Sequence, residues 1–286
     1  MPDTAIPPAE RTTLLRRYLA FLTLGNQVAK ATLVSQAVAF VWKAKFGFDP
    51  ASDVAFAAFM GGLRHLGPLL SEKRPQRDAF PVSALQHFVD SPPAGMSEDD
   101  HLVASAALVY AIRGIQRGGQ VADLECRDVM TFDINGSLAL RVTIRSSKTD
   151  PKGARPHSVV IDQGVTPLDP LRILDRYTTR RFGVPLRHWA ASGMAASSRP
   201  FFCRGARPIA TSSLRDWVRR VAEHAGLDGY YGSHSLRVSG ACWAILGGMS
   251  FDMVMAIGGW KSQSSAAIYL RSLVAAVAGG SKIMGL

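Results

Sequence analysis

"VMTFDINGSLALRVTIRSSKTDPKGARPHSVVID", residues 129–162, is the stretch where the helical period of the chain gives way to alternation. Asn135 and Gly136 separate "VMTFDI" from "SLALRVTIR". Both residues tolerate positive φ, and the pair is the strongest short signal for a two-residue hairpin. "HSVVID" follows after a longer polar loop, "SSKTDPKGARP". The three pieces are rich in Val, Ile, Thr and Phe, which fit a pleated surface. They predict a small three-stranded antiparallel sheet.

Outward from this sheet the chain reads as helix. Upstream, residues 10–71 repeat the helical period in "ERTTLLRRYLAFLTL", "ATLVSQAVAFVWKAKF" and "ASDVAFAAFMGGLRHLGPLL". Leu14, Leu15, Tyr18, Leu19, Phe21 and Leu22 form the apolar positions of the first of these. "SEKRPQRDAFP" (71–81) is charged, carries two prolines and reads as a linker. In "SEDDHLVASAALVYAIRGI", Ser97 and three acids suit a helix start, where exposed N–H groups favour negative charge. From about residue 167 onward the chain is helical again. The expected architecture is mainly α in two domains: residues 1–72 all-helical, 73–81 a linker, and 82–286 helical around the small sheet.

A chain of 286 residues with 47% apolar and 19% charged residues has the composition of a folded soluble protein. No apolar run reaches the roughly 18 residues of a membrane span, and the start lacks a secretory pattern. Cys126, Cys203 and Cys242 are scattered, so a reducing compartment is expected and no disulfide framework or zinc site. The seven histidines show no metal-ligand spacing. A net charge of +11 and a pI near 10 fit a polyanionic partner, nucleic acid being the commonest. The excess is spread over both segments, since residues 1–80 hold 10 Lys/Arg against 6 Asp/Glu and residues 81–286 hold 23 against 16.

Four features carry candidate chemistry. Arg117 precedes Gly118-Gly119, with Leu124 and Asp128 seven and eleven residues later. Lys148 stands in the loop between two strands, with Lys152 as a second choice. "GSHSLRVSG" sets His234 and Arg237 three apart, on one face of the first turn of a helix. Unpaired N–H groups, an imidazole and a guanidinium together favour an anion there. Gly258-Gly259 ends a helix and lets Trp260 turn inward, and Tyr269 follows on the last helix behind Ser262, Ser264 and Ser265. Taken singly, each has an ordinary reading: solvated Arg117 and Lys148, a surface His and Arg on a capped helix, core Trp260 and Tyr269.

Order and spacing are more specific. An Arg, a hairpin Lys, His-x-x-Arg, a Trp 23 residues past that Arg and a Tyr nine further on resemble the tyrosine recombinase (phage integrase) family. The C-terminal boxes, "HSLRVSGACWAILGGMSFDMVMAIGGWKSQSSAAIYLRS", look most like Cre-type members, with Trp260 where many relatives carry a second His. The resemblance is specific over about residues 100–275; over 1–80 it rests on a basic, all-helical segment in the expected place.

The resemblance implies an N-terminal core-binding (SAM-like) domain and a catalytic domain of the DNA breaking-rejoining fold. It implies Arg117, Lys148, His234, Arg237 and Trp260 as the catalytic set, and Tyr269 as nucleophile of a 3′-phosphotyrosyl intermediate. Gln120 stands where the family usually has an acid supporting the arginine and histidine. No cofactor or metal is implied. The partners would be double-stranded DNA and three further copies in a homo-tetramer, with the tail 273–286 docking on a neighbour and the protein acting intracellularly, with the DNA. Arg16, Arg17, Arg64, Arg219 and Arg220 are candidate DNA contacts. Two other readings stay open: a type IB topoisomerase-like enzyme, and a domesticated DNA-binding protein without catalysis.

Overall fold

The structure is a computed structural model that describes residues 7–24, 28–70, 77–145, 156–163 and 168–269. The chain divides into two compact units, residues 1–75 and 76–286. In the first unit, α1 (Pro8–Leu24), α2 (Val28–Phe46) and α3 (Val54–Leu70) pack on one another. Leu15, Leu19 and Leu22 of α1 enter a core with Ala31, Phe56 and Met60. Leu14, Tyr18 and Phe21, from the same apolar run, are exposed. Asp53 starts α3, its Oδ1 accepting from the N–H groups of Ala55 (2.8 Å) and Phe56 (3.1 Å).

The second unit is built around α5 (Glu98–Arg113), in which every residue from Val103 to Ile112 is buried. A helix hidden on all sides must be apolar nearly all round, and "VASAALVYAI" carries only the hydroxyls of Ser105 and Tyr110 as side-chain polar groups. Its start is as expected from the sequence: the Ser97 hydroxyl accepts from the N–H of Asp100 at 3.2 Å. Around α5 pack α4 (Val82–Asp90), α7 (Pro170–Phe182), α8 (Thr211–His224) and α9 (Ser233–Leu246). The short α6 (Gly118–Ala122) follows α5. After α9 come α10 (Phe251–Gly258) and the helical residues 263–269.

The sheet has the order β1 (Val129–Ile134), β2 (Ser137–Ile144), β3 (His157–Ile161), both pairs antiparallel. Asn135 and Gly136 make the first turn with φ of 53° and 82°. A second, two-stranded ribbon, β4 (Cys203–Arg204) with β5 (Arg207–Pro208), had no alternation to announce it. The last residue before the second loop, Arg145, is tied at 2.9 Å to both Asp128 and Glu125. Asp128 is buried and its pKa is raised, chiefly by that burial, with Arg145 acting against it.

Residues 77–80, read from composition as the end of the linker, are fastened to the second unit. Asp78 and Tyr230 exchange two hydrogen bonds, and Phe80 stacks on Tyr231 at 4.7 Å. The Phe80 N–H donates to Ser239 and its carbonyl accepts from the Trp243 indole at 2.8 Å. Composition reads charge and proline as solvated chain; it has no view of which aromatic finds a partner.

Helices α5 and α9 touch at Gly240, where a Cβ would collide with the carbonyl oxygen of Ile112. That contact sets how far α9 sinks against the core. Gly240→Ala should therefore cost roughly 3 kcal/mol or more, the upper range for overpacking, read as a lower midpoint in urea unfolding.

Candidate active site

The helix end that leads to Arg117 has an unusual turn. The N–H of Gln116 donates to Ala111 and that of Ile115 to Ile112, the double bond of a Schellman-type C-terminus. The left-handed position is taken by Ile115, with φ of 53°, although Gly114 lies one residue earlier. A β-branched residue in that region is strained and must be held by its surroundings. Ile115 is buried against Ala241 and Val254, and its carbonyl accepts from Arg237 Nη1 at 2.7 Å.

Arg237, four residues into α9, is buried to 1% exposure. Its Nη2 donates to the carbonyl of Gly258 at 2.5 Å. The guanidinium stacks over the Trp260 ring, 3.9 Å from its centre, and lies 5.6 Å from the centre of Tyr269. Among the described residues Nε of Arg237 has no hydrogen-bond partner. Its pKa falls to about 10, first through burial and then through the nearby charge of Arg117. Even so, it is a cation at neutral pH.

Trp260 reaches this place because α10 ends in two glycines. Gly259 adopts φ of 63° and turns the chain, and the indole then lies where a Cβ of Gly258 would be. Tyr269 packs against Trp260 (4.8 Å between ring centres) and His234 (4.9 Å). Its backing comes from the small cluster of Ile115, Ala241 and Val254. Ile268, beside Tyr269 on the same helix, is exposed. The Ser262 hydroxyl accepts from the N–H of Ser265 at 3.3 Å, capping the helix that carries the tyrosine.

Arg117 is the N-cap of α6, and Gln120 Oε1 accepts from its N–H at 2.9 Å. Gln120 therefore acts on the backbone that aims Arg117, a task that needs a hydrogen-bond acceptor and no charge. The structure thus gathers Arg117, His234, Arg237, Trp260 and Tyr269 in the second unit. Lys148 and Lys152 lie outside the described residues, as does the tail 273–286. Of the candidate DNA contacts, Arg17 and Arg220 are exposed, Arg16 donates to Thr13 at 3.3 Å and Arg219 is paired with Asp216 at 2.6 Å. Arg64 lies on α3 with its side chain outside the described part.

Two groups come to the site without having been singled out. His157, the first residue of β3, lies against Gly259. Its signal was a polar residue in phase with Val159 and Ile161, which are buried. Arg77 donates to the carbonyl of Tyr231 at 3.0 Å and stacks over Tyr230 at 3.5 Å, at the entry to α9. Nothing local in "PQRDAF" announces it.

The phage integrase family profile matches residues 96–275, well over half of the chain, so the protein belongs to that family. Its members are the tyrosine recombinases, and the likeness to Cre-type members in the C-terminal boxes is a minor part of the match. Among solved structures, XerH site-specific recombinase bound to palindromic difH substrate is 15% identical with a TM-score of 0.52, over 88% of this chain and 72% of that one. A lambda integrase dimer bound to a COC′ core site is 14% identical with a TM-score of 0.56, over 90% of this chain and 63% of that one. A lambda integrase tetramer bound to a Holliday junction is 15% identical with the same score of 0.56, over 90% of this chain and 64% of the other. At these identities the likeness is one of fold, and this chain spans under two thirds of these two lambda integrase chains. No curated protein matches the sequence at a significant level. Among the described residues no helix is long and apolar enough to cross a membrane.

The electrostatics of the site have a measurable sign. His234 and His157 both have pKa values lowered from the ordinary 6.5, first by burial, then by the Arg237 and Arg117 charges and, for His234, Arg77. The unfolded chain therefore takes up these protons at a higher pH than the folded one. The stability that the uncharged rings contribute is complete above about pH 6.5 and is lost as pH falls through the lowered values. Urea midpoints should drop between about pH 7 and pH 5, and drop less in a His157→Gln/His234→Gln variant. Inorganic phosphate should shrink the drop by offsetting the two guanidiniums.

Proposed function

We propose that the protein is a site-specific DNA recombinase or integrase that cleaves and rejoins duplex DNA through a 3′-phosphotyrosyl intermediate. The observation that carries the proposal is the convergence of Arg237, Trp260, His234 and Tyr269, with ring and guanidinium centres 3.9–5.6 Å apart, beside the charge of Arg117.

The chemistry follows from the groups present. A phosphodiester in transfer spreads negative charge over its non-bridging oxygens, and preorganised donors stabilise that charge. Arg117 and Arg237 are the cations for those oxygens, and the two carbonyl bonds of Arg237 hold its guanidinium still before substrate arrives. The Tyr269 oxygen attacks phosphorus as the bond to the 5′-oxygen breaks. His234, next to the phenol and kept uncharged by its surroundings, is the group to take the phenolic proton. Lys148 is assigned the proton for the leaving 5′-oxygen. In rejoining, a 5′-hydroxyl attacks the phosphotyrosine and the protons move back.

The double-stranded DNA substrate, action as a homo-tetramer and an intracellular setting belong to the same proposal. So do the roles of residues 1–72 as a DNA-gripping domain, 73–76 as what is left of the expected linker and the unit from residue 77 onward as the catalytic domain, and those of Arg16, Arg17, Arg64, Arg219 and Arg220 at phosphates. What supports the DNA partner is the family match, the +11 charge and the DNA complexes formed by the XerH and lambda integrase neighbours.

Incubation with a nicked duplex that traps the cleaved strand should give a covalent protein–DNA adduct with the wild type and none with Tyr269→Phe. An adduct that survives the substitution would remove Tyr269 from the reaction. Binding to duplex DNA should weaken steeply with salt, by about 10³-fold or more between 50 and 200 mM if some six phosphates are contacted. A filter-binding or anisotropy series checks this, and a flat response would speak against a phosphate-gripping surface.

A further inference from the structure

His157 has no part in the reaction as derived above, yet its ring lies against the turn that leads to Trp260 and within range of the Arg237 and Arg117 charges. A Cβ built on Gly259 would meet its Cε1 at 3.2 Å and its Nε2 at 3.3 Å, so the imidazole lies directly over the glycine that turns the chain toward Trp260. The other side of its position is set by the sheet. His157 pairs with Ile144, and the next residue of that strand, Arg145, is locked to Asp128 and Glu125. The ring is half-buried and feels the charges of Arg237 and Arg117, the two cations assigned to the phosphate. A ring needed only to cover a glycine would not have to be an imidazole within range of two guanidinium charges.

The neighbouring indole explains what such a ring could add. Trp260 has one face on Arg237 and an edge over Gly258, which leaves it a single N–H to offer a substrate. We propose that His157 is a further phosphate-contacting residue, giving its ring N–H from β3 to a non-bridging oxygen of the phosphate held by Arg117 and Arg237. This assignment rests on the phosphoryl-transfer reading of the site. Its lowered pKa suits the role, since an uncharged imidazole next to two cations still carries one N–H donor.

The test uses the full chain and the nicked duplex substrate. His157→Leu should slow adduct formation by about 10²-fold, the scale for loss of one transition-state donor, with DNA affinity unchanged. His157→Gln, which retains an N–H, should regain part of that loss. With methylphosphonate at the cleaved position, the diastereomer lacking the contacted oxygen should react at nearly equal rates with wild type and His157→Leu. Wild-type rates for His157→Leu on normal DNA, or the same deficit on both diastereomers, would overturn the contact. A readout without turnover separates this from the reaction itself: inorganic phosphate should shift the His157 ring resonances and raise its pKa. If the wild type forms no adduct while phosphate still moves those resonances, the recombinase reading fails and the contact stands. If phosphate leaves them unmoved, the contact fails.

Discussion

A buried guanidinium organises the catalytic unit. Arg237 carries its charge at 1% exposure, where an unpaired ion would be very costly. No ion pair among the described residues offsets it; two backbone carbonyls and the face of an indole do. Those carbonyls belong to the end of α5 and the end of α10, so one side chain on α9 ties three helix segments together. The left-handed turn at Ile115, the glycine turn before Trp260 and the seat of Tyr269 all depend on where that guanidinium lies.

This arrangement leaves charge poised for a ligand. Arg145, Arg204 and Arg219 face carboxylates, as surface arginines commonly do. Arg117 and Arg237 face each other and two histidines whose pKa values they lower. Cations brought near each other with no ion pair among the described residues raise the energy of the unliganded site. A phosphate held there, as proposed, would relieve that repulsion.

The sites of close approach are as important as the charges. Gly240 lets α9 touch the α5 backbone, and Gly258 leaves room for the Trp260 ring. At the first a helix backbone and at the second an indole ring comes nearer than a Cβ allows. Together they bring Arg237 and Trp260 into stacking range, so packing of small residues sets the geometry in which the aromatic and cationic groups act.

Much of this was legible along the chain. Asn135-Gly136 announced the hairpin because positive φ is a local property, and Ser97 announced the start of α5 because a cap acts within three residues. The order of Arg117, His234, Arg237, Trp260 and Tyr269 was enough to read the family and to propose a site. What the sequence could not determine were features made by distant partners. Ile115 takes the left-handed position because a side chain 122 residues away binds its carbonyl. His157 and Arg77 enter the site, Phe80 joins the core and Ile268 faces outward for the same kind of reason. Local propensity follows from near neighbours in the chain. The position of a buried charge follows from which carbonyls and rings the whole fold brings to it, and only the tertiary structure decides that.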